Sequence, residues 1–246
     1  YMLRKVLSLL FFIGFLVNGN LIAQSNLFTN ESLTGTTGVG TAPDSWKSIK
    51  GSNSSSPYSA DLNDLTDGIV SYSDVYWSVS PSNSGDGGTW AGLGAVRSIS
   101  WYEGIYQQVS LTANETYTIS FEISHFGLNQ NNSLTNGDDA FINVIYSTVG
   151  EPNLGPGGFS TTLIGKSDVI SLGGEWKDQT LTFTPNVSAD YNIGFQIGLV
   201  DPTSNRSYIN IDGIKIIEQS NTSGNNCPLA NDDGNIVNEG EITLGN

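Results

Sequence analysis

Few residues of this chain can do covalent chemistry. In 246 residues there is one histidine, His125, and one cysteine, Cys227. A single imidazole removes hydrolytic metal centres that need two, and a single thiol removes internal disulfides and multi-cysteine zinc sites. Carboxylates are abundant, with 24 acids against 9 bases and a formal net charge of −15. Cleaving a glycosidic bond takes two carboxyl groups about 5–10 Å apart across a cleft, a distance that spacing along the chain does not fix. The chain lacks an E-x-D-x-x-E run, and it has no G-x-S-x-G elbow, P-loop or H-E-x-x-H motif. Asp138-Asp139 and Asp232-Asp233 fall in polar turns, where solvated acids are the ordinary outcome. His125 shares the parity of the inward residues of a predicted strand, which predicts a buried, hydrogen-bonded ring rather than a base. The expectation is a chain without catalytic residues.

Recognition is a different matter, because the chain holds 5 Trp, 10 Tyr and 10 Phe. Flat aromatic faces flanked by hydrogen-bonding side chains suit a polyhydroxylated ring. Trp77, Trp90, Trp101 and Tyr102 stand among Gly, Ser and Asp residues, where an exposed platform can form. Tyr72 and Tyr76 share one parity with Asp74 in the predicted strand Ile69–Trp77 and form a second candidate strip. Each of these rings has a competing role as core filling. Trp46 and Trp176, at framework-like positions, read as core.

The elements that must carry these residues are strands. Tyr117, Ile119, Phe121 and Ile123 alternate with Thr118, Ser120, Glu122 and Ser124, the period of a strand with one buried face. Residues 140–146, 179–183, 191–199 and 208–217 read similarly, and residues 27–33, 46–49, 69–77, 90–96, 105–111 and 160–172 do so more weakly. Turn residues separate them, and no stretch has the spacing of an amphipathic helix. The predicted fold is all-β, an antiparallel β-sandwich of the jelly-roll kind.

The ends differ from this middle. Arg4 and Lys5 precede the mostly apolar run Val6–Val17, then a polar stretch and Ala23, the layout of a secretory signal peptide over residues 1–23. Twelve residues span roughly 18 Å as a helix, short of a hydrocarbon core of ~30 Å. No membrane span is therefore expected once the leader is removed. Its removal takes Arg4 and Lys5 and leaves 7 bases against 24 acids. Such a balance excludes nucleic acid and disfavours anionic membranes, both of which need clustered cations. Residues 24–219 are expected to form the sandwich. Residues 220–246 read as a polar linker and the start of a following module.

Several segments carry a family likeness. Asn26–Leu33 (NLFTNESL), Pro43–Trp46 (PDSW), Glu103–Phe121 (EGIYQQVSLTANETYTISF), Trp176–Phe183 and Ile211–Ile214 (IDGI) occur in the order of the family 4, 9 and 22 carbohydrate-binding modules. The chain resembles these modules, which are galactose-binding-like β-sandwiches, and the Glu103–Phe121 segment is the most specific match. Residues 227–246 are similar to the opening of bacterial cadherin-like or immunoglobulin-like repeats. The resemblance implies a secreted or cell-surface bacterial protein whose module binds a polysaccharide or cell-surface glycan, without catalysis, beside further modules of the same polypeptide. It also implies a structural Ca2+ linking the opening and closing strands, with Asp212 as the closing acid. Thr34 stands where the family's opening acid is common, so Glu31 is the expected substitute. Two other readings stay open. One is an adhesion sandwich that binds no sugar, and the other is a jelly-roll glycan-degrading enzyme.

Overall fold

The computed structural model describes residues 24–49, 59–64, 69–72, 75–78, 88–125, 128–130, 133–135, 137–155, 160–173, 175–200, 206–219, 229–230 and 236–237. The leader expected at 1–23 lies outside them, as does most of 220–246. In chain order the strands are β1 (Lys47–Ile49), β2 (Asp61–Asp64), β3 (Ile69–Tyr72), β4 (Val75–Ser78), β5 (Thr89–Val96) and β6 (Trp101–Tyr102). Next come β7 (Gly104–Leu111), β8 (Tyr117–Ser124), β9 (Leu128–Gln130), β10 (Ser133–Thr135), β11 (Ala140–Ser147) and β12 (Thr162–Lys166). The last are β13 (Lys177–Phe183), β14 (Ala189–Leu199), β15 (Arg206–Glu218), β16 (Leu229–Ala230) and β17 (Ile236–Val237). The one helical element among the described residues is a 3-10 turn at Arg97–Ile99.

Two antiparallel sheets form the sandwich. One has the order β1-β7-β14-β11-β12, and the other β13-β8-β15-β5-β2 with β6 added on β5. A four-stranded sheet, β10-β9-β4-β3, and a β16–β17 pair complete the list. Ile119, Phe121 and Ile123 of β8, Leu93 of β5, Ile209 and Ile211 of β15, and Ile193, Phe195 and Ile197 of β14 meet between the two sheets. Each is a member of an alternating run, so the period of two in the sequence assigns one face of each strand to this core, while in β5, β14 and much of β15 the opposite face is buried as well. The expected all-β sandwich is the fold observed.

Two expected strands take another form. Residues 27–33 are irregular, because Asn30 and Leu33 adopt left-handed backbone (φ 57° and 45°) that a strand does not tolerate. Direct hydrogen bonds hold this segment to β15. Asn26 Oδ1 accepts from Ile216 N (2.8 Å), Leu27 N donates to Ile216 O (2.9 Å) and Ile214 N donates to Glu31 O (3.1 Å). The run 69–77 is a pair of strands, β3 and β4, with Tyr72 opposite Val75 and Ser71 opposite Tyr76. Tyr72 and Tyr76 therefore stand on two adjacent strands rather than on one.

Candidate functional site

Tyr102 reaches its position through a short excursion between the sheets. After β5 the chain makes the 3-10 turn Arg97–Ile99 and turns back at Ser100, whose backbone is left-handed (φ 52°). It then pairs as β6 with the end it has just left, Tyr102 opposite Ala95 and Trp101 opposite Val96. A non-glycine residue in that conformation costs on the order of 1 kcal/mol, which the β5–β6 pairing offsets. At Glu103 the chain crosses to the five-stranded sheet, where Ile197 N donates to Glu103 O (3.1 Å).

Beside this crossing lies a hollow of about 280 Å³, whose lining includes Arg97, Ser100, Tyr102, Phe141, Asn143 and Gln196. Phe141 and Asn143 come from β11, and Gln196 and Gly198 from β14, on the parity that faces away from the core. Gly198 makes room for the Phe141 ring, since a Cβ there would lie 2.5 Å from ring carbon Cε2. Gln196 is a clamp: Nε2 donates to Tyr102 O (3.1 Å) and Asn153 Oδ1 (3.0 Å), and Oε1 accepts from Leu154 N (3.0 Å). Leu154, Ile197 and Leu199 add apolar side chains to the lining, and Leu154 is 48% exposed. Apolar side chains around a polar-lined depression are the composition of a recognition site.

A second hollow, about 500 Å³, lies on the six-stranded sheet among Ser120, Glu122, Asp178, Thr180, Gly213 and Lys215. Glu122 and Asp178 are directly opposed across β8 and β13. Phe121, the sole aromatic of this lining, is buried in the core. It offers no ring for stacking.

The expected tryptophan platforms take another role. Trp90 is fully buried and Trp101 is 8% exposed, so neither presents an open ring face. Both belong to a layer on the outer face of the six-stranded sheet, opposite in parity to the core residues Ala91, Leu93 and Ala95. Trp90 packs edge-on against Trp176 (6.0 Å between centroids). Trp101 closes over Gly94, where a Cβ would lie 3.6 Å from the indole. Gly92 and Gly94 are clearance for the Tyr208 and Trp101 rings. Trp46 is core, as expected, packed on Phe28 and Phe195. Side chains of Tyr72, Tyr76 and Trp77 lie outside the described residues.

This layer is polar and buried. Tyr208 OH donates to Asp61 Oδ2 (3.0 Å) and accepts from Asn63 Nδ2 (3.1 Å), while Asp61 Oδ1 accepts from Gly40 N (2.7 Å). Burial pushes the Asp61 carboxyl up to about 6 against the opposing pull of the Gly40 amide and the Tyr208 phenol. Burial also drives Glu103 well above the usual carboxylate range, with repulsion from Asp61 adding to it. The Gly94 amide donates to Glu103 Oε2 (2.6 Å) and acts in the other direction. His125 is buried, with Nε2 3.1 Å from both Asp138 O and Ser207 Oγ, and burial holds it below its ordinary value. That is the hydrogen-bonded core histidine expected from its parity.

Glu31 and Asp212, the two residues that the resemblance assigns to calcium, lie on the opening segment and on β15. Among the described residues no group of three or more acids, histidines or cysteines is placed to hold a metal ion. Glu31 Oε2 accepts instead from Asn26 Nδ2 (2.8 Å), and Asp212 is buried on the outer parity of β15 opposite Glu122. Asn26 makes the tie between opening and closing segments.

Of the hollow, the sequence singled out Tyr102 alone. Phe141, Asn143 and Gln196 lie on strands that adjoin only after pairing. A readable signal existed in Phe141, an aromatic on the outward parity of one strand, and Gly198, a glycine within another.

No protein-family model matches the chain, and no curated protein matches it. Among solved structures it is similar to a Stig cyclase from Fischerella sp. TAU in complex with (3Z)-3-(1-methyl-2-pyrrolidinylidene)-3H-indole, at 14% identity and TM-score 0.52 over 80% of this chain and 98% of that one. It is also similar to a family 61 carbohydrate-binding module in complex with β-1,4-galactotriose (12% identity, TM-score 0.44, 79% of this chain and 99% of that one). A family 4 carbohydrate-binding module aligns at 14% identity and TM-score 0.36, over 72% and 97% of the two chains. The first of these shows the β-sandwich fold, and at such identities no site residue transfers.

Proposed function

We propose that the chain is a secreted, non-catalytic carbohydrate-binding module of a larger extracellular protein, which takes a glycan into the hollow beside Tyr102. The observation that carries this reading is the juxtaposition of Tyr102, Phe141 and Asn143 in a surface depression with apolar flanks. The Tyr102 ring supplies contact with sugar C–H faces, and the Asn143 amide and Ser100 hydroxyl supply hydrogen bonds to hydroxyl groups. Contacts of this kind are weak one at a time, and further modules on the same polypeptide would raise avidity. Export rests on the leader-like residues 1–23.

The adhesion reading has one specific observation in its favour, the burial of Trp90 and Trp101, which removes two candidate platforms. A glycan array and insoluble-polysaccharide pull-downs with the purified chain separate the two. Binding that Tyr102→Ala weakens roughly tenfold, with an unchanged melting curve, is the result expected. Failure to bind any plant, algal or microbial glycan would leave the adhesion domain. Released reducing ends or unsaturated sugars would overturn the non-catalytic assignment.

A further inference from the structure

We propose that the glycan this hollow accepts is acidic, bearing a carboxylate or a sulfate ester on its sugar rings. The inference rests on the carbohydrate-binding reading and adds the ligand's charge to it. In a chain with 24 acids and 9 bases, none of the described residues that line the hollow is acidic, and one is Arg97. A second cation, from outside the lining, stands over one of its rings. Lys166 Nζ stands 4.5 Å above the centroid of the Phe141 ring. β12 pairs with β11 so that Lys166 lies directly opposite Asn143, one of the lining residues.

The arrangement decides between neutral and anionic sugars. Phe141 is seated against Gly198, and the ammonium stands over its ring. A neutral pyranose stacks through its C–H groups on a bare ring, so it would have to displace the lysine and forfeit the cation–π attraction. An anionic sugar meets an ammonium already oriented, which lowers the ordering cost of binding. Arg97 adds a guanidinium, steadied by the Leu199 carbonyl (3.5 Å), whose planar fork suits carboxylate or sulfate oxygens. The overall negative charge repels a polyanion at long range, but screening near physiological ionic strength confines that repulsion to about 8 Å. Contact with the two cations then governs the outcome.

The test is affinity electrophoresis and calorimetry of the purified chain with sodium polygalacturonate, a sulfated galactan and an uncharged galactan. Binding to the polyuronate, the sulfated polymer or both is expected, weakening roughly tenfold between 50 mM and 500 mM NaCl. Either polymer alone identifies which anion is recognised. Lys166→Ala should lose about tenfold in affinity and Lys166→Arg should retain most of it, with both variants melting like the parent. Preference for the uncharged galactan, or binding that strengthens with salt, would overturn the acidic ligand while leaving a carbohydrate-binding module. No binding to any glycan would remove both.

Discussion

Tyr208 crosses over Gly92 to donate its phenolic hydrogen to Asp61 Oδ2 at 3.0 Å, joining β15 to β2 across β5. This bond, with Asn63 and Glu103 around it, places ionisable groups in a buried layer on the outer face of a sheet. Its consequences are measurable.

The first concerns pH. Asp61 titrates near 6 in the folded chain, against an ordinary 3.8. Between those values the unfolded chain has released this proton while the folded chain keeps it, so stability from Asp61 falls as pH rises and levels off above about 6. The whole effect is worth about 3 kcal/mol. Urea unfolding of the parent and of Asp61→Asn at pH 4.5, 6 and 7.5 should show the variant gaining on the parent as pH rises. Glu103→Gln should change in the same direction, since burial raises its carboxyl too. A parent–variant difference that stays constant across pH would refute the assignment.

Gly92 is required by the crossing. A Cβ at this position would overlap the Tyr208 phenol and lie 2.7 Å from Asn63 Nδ2. Gly92→Ala should therefore cost about 3 kcal/mol by displacing Tyr208 from Asp61. Paired with Tyr208→Phe in a double-mutant cycle, the two losses should be far from additive.

Trp90 tests platform against core. Full burial predicts that Trp90→Ala lowers stability by about 3–5 kcal/mol. Trp90 Nε1 is buried with no hydrogen-bond partner among the described residues, so Trp90→Phe should cost markedly less than a buried, bonded indole would. Weakened glycan binding by Trp90→Ala with an unchanged melting temperature would return this residue to the ligand site.

Asn26 is the direct tie between the opening segment and β15. Its side chain accepts from Phe28 N and Ile216 N and donates to Glu31 Oε2. Asn26→Ala should lower stability by about 2–3 kcal/mol. If the Asn26 amide makes this link without an ion, chelator leaves the melting temperature of the parent unchanged. A chelator-induced fall would restore calcium at Glu31 and Asp212.

The sequence by itself determined the sandwich. Alternation in 117–124, 191–199 and 208–217 assigns one face of each strand to the core, because successive side chains in extended backbone point to opposite faces. The single histidine's burial followed from the same parity. Tertiary structure alone decided which strands adjoin, and with it both the hollow and the buried layer. Lys166 and Asn143 become neighbours only through the β11–β12 register, and Gly92 acquires its role only when Tyr208 arrives from 116 residues further along the chain. Gly92 and Gly94 fall within the predicted strand 90–96, and only the packed sheet shows that they are clearances for Tyr208 and Trp101. A residue's own type does not say whether its missing Cβ faces solvent or another ring.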